Sequence, residues 1–230
     1  LDIEDPTLPS PPQWVQKSLP EEWPERGIDA HESGGIYLEW QPNPKDDIVT
    51  YNIYRTARFP ENDSLGEYTL ISQIDLESSF ALTYIDYQVV IRNKYYYKLK
   101  SIDISHNLSA YSDSIYYSLL PRLDASQMSP NALTDSIRRE GLLSWTYDYH
   151  IEMEDYSITI VNQEHAKVFR ERFSPDQYLD WGGESWRIPT TINLIPDQIY
   201  KWRIDVSSNY IDNRESVGSE SQWATFLYVE

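Results

Sequence analysis

The sequence predicts an all-β protein made of two tandem antiparallel β-sandwiches. A triplet of aromatic residues occurs twice at a constant offset of 105 positions, which indicates two copies of one domain. The triplets are Trp40, Tyr51 and Tyr95, then Trp145, Tyr156 and Tyr200. Around both triplets, apolar and polar residues alternate with a period of two, and no segment keeps the spacing of an amphipathic helix. Short strands separated by turn-forming residues are typical of a β-sandwich.

The alternation assigns a buried face and a solvent-facing side to each strand, because side chains two residues apart share a face. In the strand that opens at Tyr95, Leu99 points one way, whereas Lys98 and Lys100 point the other. The strand that opens at Tyr200 repeats this pattern. We therefore expect antiparallel sheets with one face in the core and one face in water.

The elements follow in order along two predicted domains, residues 11–120 and 121–230. Residues 1–10 form an acidic, proline-rich extended leader, Trp14 opens a first edge strand, and residues 20–33 form an irregular insertion. Strands are predicted at about residues 35–41, 48–56, 68–75, 80–86, 94–103, 112–119, 141–147, 155–162, 166–172, 185–192, 199–208 and 221–229. A long loop, residues 209–218, precedes the last strand. The junction near Leu120 contains no glycine or serine tract, so we expect it to be short and stiff.

The composition excludes several classes of function. The chain has 230 residues, no cysteine and a net charge of −18. Without cysteine it has no disulfides, thiol nucleophiles or thiolate zinc sites. Its acidic field disfavours nucleic acids and anionic membranes as partners. No apolar run is long enough to insert into a membrane.

Catalytic and metal-binding patterns are also missing from the sequence. None of the four histidines has the spacing of a zinc-protease motif, and no Gly-x-Ser-x-Gly nucleophile turn is present. Acidic clusters at residues 45–47, 152–155 and 212–215 lack the alternation and glycine of a calcium loop, so we interpret them as solvated turns. We expect no enzymatic activity, no cofactor and no metal site.

The chain resembles the fibronectin type III family over nearly its whole length, in two copies. The family places a Trp on the second strand, a Tyr on the third, and a leucine-like residue six positions before a Tyr that opens an alternating strand. Leu194 stands six residues before Tyr200, and Val89 stands six before Tyr95. The resemblance implies that Tyr95 and Tyr200 are tyrosine-corner residues, whose hydroxyls bond to nearby backbone.

The leader and the segment Trp40–Arg55 are similar to bacterial exported members of the family. Such proteins often follow a lipoprotein signal and an acidic, proline-rich tether. The resemblance therefore implies an extracellular, cell-surface or periplasmic location, and it allows a lipid anchor upstream of Leu1.

The segment from Tyr178 to Trp186 is the strongest sequence candidate for ligand binding. Trp181 and Trp186 flank a glycine turn with Glu184 beside it, so the candidate ligand-binding residues are Tyr178, Trp181, Glu184 and Trp186. Two interpretations are open. The aromatic faces and carboxylates contact the rings and hydroxyls of a sugar, or Trp186 packs in the second core and Trp181 covers the edge between the sheets.

We expect a non-catalytic tandem module of an exported cell-surface protein. It serves as a spacer or as a protein-binding or adhesion element, and its partner is an unknown protein or glycan. The alternative is a carbohydrate-binding or accessory module associated with extracellular glycan degradation. A contiguous exposed aromatic strip favours glycans, a large exposed apolar patch favours a protein partner, and neither feature favours a spacer.

Overall fold

The computed structural model describes residues 7–17, 24–44, 47–59, 64–146, 155–173, 185–208 and 216–230. Contacts divide the chain into two compact units. The first lies within Leu1–Lys17, Glu25–Asp29 and Gly35–Leu119, and the second within Ser18–Pro24, Ala30–Gly34 and Leu120–Glu230. The described residues form β-strands and one short 3₁₀ turn, with no α-helix, which confirms the all-β prediction.

The first unit is a sandwich of two antiparallel sheets. Its strands are β1 (Ile28–Ala30, whose last residue groups with the second unit), β2 (Ile36–Glu39), β3 (Ile48–Phe59), β4 (Ser64–Leu65), β5 (Thr69–Asp75), β6 (Thr83–Asp86), β7 (Lys94–Asp103) and β8 (Ile115–Leu119). The smaller sheet has the order β1-β2-β6, and Trp14 adds a bridge to Trp40. In the larger sheet β3 pairs with β5 and β7, and β7 pairs with β8.

The core of the first unit lies between these sheets, because the period-two pattern directs one side of each strand inward. Leu38 and Trp40 come from the smaller sheet, while Tyr51, Ile53 and Leu99 come from the larger one. All five are almost fully buried. The rings of Trp40 and Tyr51 meet edge to face with centroids 5.5 Å apart, so aromatic packing joins the two layers.

The second unit repeats this arrangement. Its strands are β9 (Met128–Ser129), β10 (Ser136–Ile137), β11 (Leu142–Trp145), β12 (Asp155–Val161), β13 (Lys167–Phe173), β14 (Ser185–Arg187), β15 (Gln198–Ser207), β16 (Val217–Glu220) and β17 (Ala224–Tyr228). One sheet has the order β14-β11-β9. In the other, β12 pairs with β13 and β15, and β15 pairs with β16 and β17. The ring centroids of Trp145 and Tyr156 lie 5.6 Å apart, which matches the first unit.

Hydrogen bonds at equivalent positions give both units the features of the fibronectin type III fold. The hydroxyl of Tyr95 accepts from the amide of Val90 at 3.0 Å, and that of Tyr200 accepts from Ile195 at 2.8 Å. A hydroxyl that bonds to backbone a few residues upstream is a tyrosine corner. The chain is therefore a tandem pair of fibronectin type III-like sandwiches.

The structure differs from the sequence prediction in several segments. The short strands β4, β9 and β10 lie between the predicted strands, and the strand predicted at residues 185–192 ends at Arg187. Residues 28–30, which the prediction placed in an irregular insertion, form strand β1. Gly27 allows the chain to turn into β1, because its φ is +69° and a Cβ at this position would lie only 2.4 Å from the carbonyl oxygen of Val15. The predicted loop 209–218 ends in strand β16, whose Gly218 pairs with Ser207. Residues 209–215 lie outside the described part of the chain.

Candidate binding face

The outward side of the larger sheet in the first unit is rich in tyrosine and lysine. On β7, Lys98 and Lys100 alternate with core residues, and the register places Lys98 opposite Tyr54 and Tyr96 opposite Tyr116. We call this surface the Tyr–Lys face. It consists of Tyr54, Tyr68, Tyr96, Lys98, Lys100, Tyr111 and Tyr116.

Tyr111 lies at the centre of the ring contacts on this face. Its ring meets that of Tyr54 edge to face at a centroid distance of 5.1 Å, and that of Tyr68 at 6.4 Å. Tyr68 and Ser114 share a hydrogen bond of 2.8 Å between their hydroxyls, which fixes the Tyr68 ring. Tyr111 keeps 41% of its surface exposed. The cluster is therefore ordered and still reachable from solvent.

Lys98 and Lys100 hold their ammonium groups over these rings. The Nζ of Lys98 lies 4.6 Å from the ring centroid of Tyr68, and the Nζ of Lys100 lies 4.2 Å from that of Tyr111. The ring quadrupole attracts a cation at this distance. Within the described residues, neither lysine forms an ion pair with a carboxylate. Both positive charges are thus positioned but not neutralised.

The aromatic row continues beside β8. Lys94 is almost fully buried, and its Nζ lies 3.9 Å from the ring centroid of Tyr116 and 5.5 Å from that of Tyr96. The rings of Tyr96 and Tyr116 lie 5.3 Å apart. These contacts extend the Tyr–Lys face across β3, β7 and β8.

Partial burial, together with the phenols of Tyr54 and Tyr68, raises the pKa of Tyr111 above its ordinary value. A phenol with a raised pKa is fully protonated at neutral pH. Tyr111 therefore presents a neutral hydroxyl that can donate a hydrogen bond.

The second unit has differently charged side chains at the equivalent positions. At the repeat offset of 105 residues, Lys98 and Lys100 correspond to Arg203 and Asp205. Arg203 is completely buried; its Nη2 lies 2.8 Å from a carboxylate oxygen of Glu220, and its Nε lies 3.0 Å from one of Asp205. The charges on this face are therefore neutralised internally, in contrast to those of the Tyr–Lys face.

The sequence-predicted ligand segment is only partly described. Tyr178, Trp181 and Glu184 lie outside the described residues, so their role stays a prediction. Trp186 is 2% exposed; its ring lies 5.4 Å from that of Phe169 and stacks on Phe173. A buried ring has no face to offer a sugar, so Trp186 is a core residue and is removed from the candidate ligand-binding set.

The repeated aromatic triplets contribute to packing. All six side chains are at most 6% exposed: Trp40, Tyr51, Tyr95, Trp145, Tyr156 and Tyr200. Their rings and hydroxyls join the sheets of each unit, as the interatomic contacts above show. They define the fold and present no surface to a ligand.

No cluster of candidate metal ligands occurs among the described residues. No group of three or more His, Asp or Glu side chains there is placed to hold a metal ion. Most of the predicted solvated turns lie outside the described part of the chain, namely residues 45–46, 152–154 and 212–215.

A shallow cavity of about 270 Å³ in the second unit is lined by residues that include Arg139, Glu140 and Tyr228. No described helix is long and apolar enough to cross a membrane.

Sequence reasoning missed the Tyr–Lys face, although part of its signal was present. The alternation places Lys98 and Lys100 on the outward side of β7, and Tyr54 follows the inward Ile53 on β3. Tyr68 stands at the start of the strand predicted at residues 68–75 but precedes β5 in the structure, and Tyr111 lies in no strand. A local period therefore does not place these two rings beside Lys98.

Comparisons with known proteins found similarity to solved structures only. No protein-family profile and no curated protein matches the chain. Among solved structures, it is similar to the chicken CNTN1 FN1–FN3 domains, with 14% identity and a TM-score of 0.38 over 97% of this chain and 69% of that one. A two-domain fibronectin type III segment of chicken tenascin has 14% identity and a TM-score of 0.32 over 93% and 96%. A β-1,2-glucanase of Parabacteroides distasonis has 24% identity and a TM-score of 0.34 over 50% of this chain and 14% of that one.

Proposed function

We propose that the chain is a non-catalytic tandem module of an exported cell-surface protein, and that it binds a protein partner through the Tyr–Lys face. One observation carries this proposal: Lys98 and Lys100 are ordered on tyrosine rings but have no carboxylate partner among the described residues. Tyrosine is enriched at the centres of protein interfaces, where it combines a large apolar ring with a polar end.

A purely structural spacer does not require such a face. The second unit shows that the same fold stabilises equivalent positions with an internal Arg203–Asp205 pair. The first unit instead leaves two cations and the half-exposed ring of Tyr111 at the surface. This difference between the two copies favours binding over a spacer role.

The contiguous tyrosines also bear on the carbohydrate-binding alternative. A sugar ring stacks on an open aromatic face. On the Tyr–Lys face, however, the ammonium groups of Lys98 and Lys100 lie over the rings of Tyr68 and Tyr111. The occupied ring faces favour a protein partner. The carbohydrate-binding alternative therefore depends on Trp181. Loss of glycan-array binding in Trp181→Ala would support it.

The exported location is part of the proposal and is supported by the family resemblance of the leader. It is tested by treating intact cells of the source organism with a protease that cannot enter them. Cleavage of the protein in intact cells agrees with a surface location. Full protection, with cleavage only after lysis, contradicts it.

Site-directed cross-linking tests the binding face. A photoreactive phenylalanine replaces Tyr111 in one full-length variant and the exposed Leu133 of the second unit in a control. We expect the Tyr111 variant alone to cross-link a discrete partner from surface extracts. With that partner purified, Tyr111→Ala should weaken binding about tenfold, as for a central interface residue. Equal cross-linking from both positions, or unchanged affinity, refutes the proposed face.

A further inference from the structure

We propose that the partner segment is acidic and extended, and that its carboxylates bind Lys98 and Lys100 on the Tyr–Lys face. This inference rests on the proposed function and specifies the chemistry of the partner.

The Tyr–Lys face is positive in a chain whose net charge is −18. The outward positions opposite the two lysines on β3 are Asn52 and Tyr54, which carry no charge. On the β8 side, Tyr116 lies opposite Tyr96, and the pairing ends at Tyr97, before the two lysines. Because these β3 partners carry no carboxylate and neither lysine forms an ion pair within the described residues, an acidic partner gains attraction here without displacing an internal ion pair.

The lysines are also arranged for binding. An exposed lysine loses much side-chain freedom when it pairs with a partner, and this loss opposes association. Contact with the rings of Tyr68 and Tyr111 restricts Lys98 and Lys100 beforehand. The nearby Tyr111 hydroxyl adds a neutral donor for a carboxylate or a backbone carbonyl.

The spacing of the charges matches an extended polypeptide. Lys98 and Lys100 are two residues apart on β7, a separation of about 7 Å along a strand. A segment with Asp or Glu at every second position repeats its carboxylates at the same interval, because its side chains also alternate. The match favours an acidic peptide over a sulfated glycan.

The second unit provides an internal comparison. At positions 203 and 205 a base is followed by an acid, and Arg170 donates to Asp205 at 2.9 Å. A carboxylate arriving there meets charges that are already paired. We therefore expect acidic-segment binding to depend on the first unit alone.

Fluorescence anisotropy tests this inference on the full chain. The probe is a short labelled peptide that alternates Glu and Thr, and peptides with Gln or Lys in place of Glu are compared. The Lys98→Gln/Lys100→Gln variant should bind the Glu peptide about tenfold more weakly, through loss of two partly exposed ion pairs. The matched control is Arg138→Gln/Arg139→Gln, which removes the same charge from exposed positions of the second unit. Lys98→Arg/Lys100→Arg should retain binding, and added salt should weaken it.

The outcomes separate the inference from the proposed function. Equal binding of the Glu and Gln peptides, weakened by Tyr111→Ala but not by Lys98→Gln/Lys100→Gln, overturns the acidic partner and leaves the binding face in place. Lysine-dependent binding of a sulfated glycan without binding of the Glu peptide overturns both. Absence of binding to every peptide, with the cross-linked partner still captured at Tyr111, overturns the inference alone.

Discussion

Replacement of Asp86 by alanine should strongly destabilise the first unit. Asp86 is 1% exposed and accepts three hydrogen bonds: from Arg55 Nη1 at 2.7 Å, from the Tyr97 hydroxyl at 2.9 Å and from the amide of Gln88 at 3.0 Å. Together these hydrogen bonds connect β6 to β3 and β7 of the larger sheet, and to the loop that follows β6.

The contacts set the size of the effect. Breaking a buried ion pair costs about 3–5 kcal/mol, and an unsatisfied buried hydroxyl costs about 1–3 kcal/mol. Arg55 keeps 19% of its side chain exposed and also donates to the carbonyl of Gln88, so water and backbone recover part of the loss. We therefore expect Asp86→Ala to lower the free energy of unfolding by about 4 kcal/mol.

Urea unfolding of the full chain, followed by tryptophan fluorescence, measures this loss. Asp113→Ala, which removes an exposed carboxylate of the same unit, should change stability by no more than about 0.5 kcal/mol. Arg55→Met combined with Asp86→Ala should be more stable than Asp86→Ala alone, because no unpaired cation remains. A loss below about 1 kcal/mol in Asp86→Ala would falsify the view that this network stabilises the unit.

Three further predictions concern the cores and the alkaline limit. Tyr200→Phe removes the hydrogen bond of the tyrosine corner and should lower the free energy of unfolding in urea by about 1–2 kcal/mol. Tyr95→Phe should cause a similar loss in the first unit. Unchanged urea midpoints in both variants would exclude a stabilising role for the corner. Trp186→Ala should cost about 3–5 kcal/mol by loss of core packing, whereas a loss near zero would contradict its burial. Burial and the nearby Glu39 raise the pKa of Tyr37 from 10.0 to about 12. The folded state therefore retains this proton longer, so stability should fall as pH rises from 10 to 12; a slope unchanged in Tyr37→Phe would refute this assignment.

The fold could be predicted from sequence because its determinants repeat and are local. Trp40 directly follows β2 and Trp145 ends β11, and the alternation of both segments is visible within a few residues. Strand β1 escaped prediction because three residues carry too little periodicity, and its entry depends on the close approach of Gly27 to another segment. Pairing partners of this kind are not encoded in a local pattern.

The candidate binding face was harder to predict for the same reason. The sequence shows that Lys98 points away from the core, but it does not show what lies beside it. Tyr68 and Tyr111 reach it from segments outside the strands, and their positions depend on the path of the loops and on the strand register. Trp181, which the composition highlights, lies outside the described residues.

Equivalent positions in the two units should differ in their tolerance of mutation. Lys98 and Arg203 are both bases at one repeat position, so a comparison of residue types treats them as interchangeable. Lys98→Glu reverses a charge at a partly exposed position and should leave the first sandwich folded. Arg203→Glu places a fourth carboxylate beside Glu32, Asp205 and Glu220 at a fully buried position, and it should unfold the second sandwich. In a library of all single substitutions, selection for binding would therefore reveal position 98, whereas selection for abundance would reveal position 203.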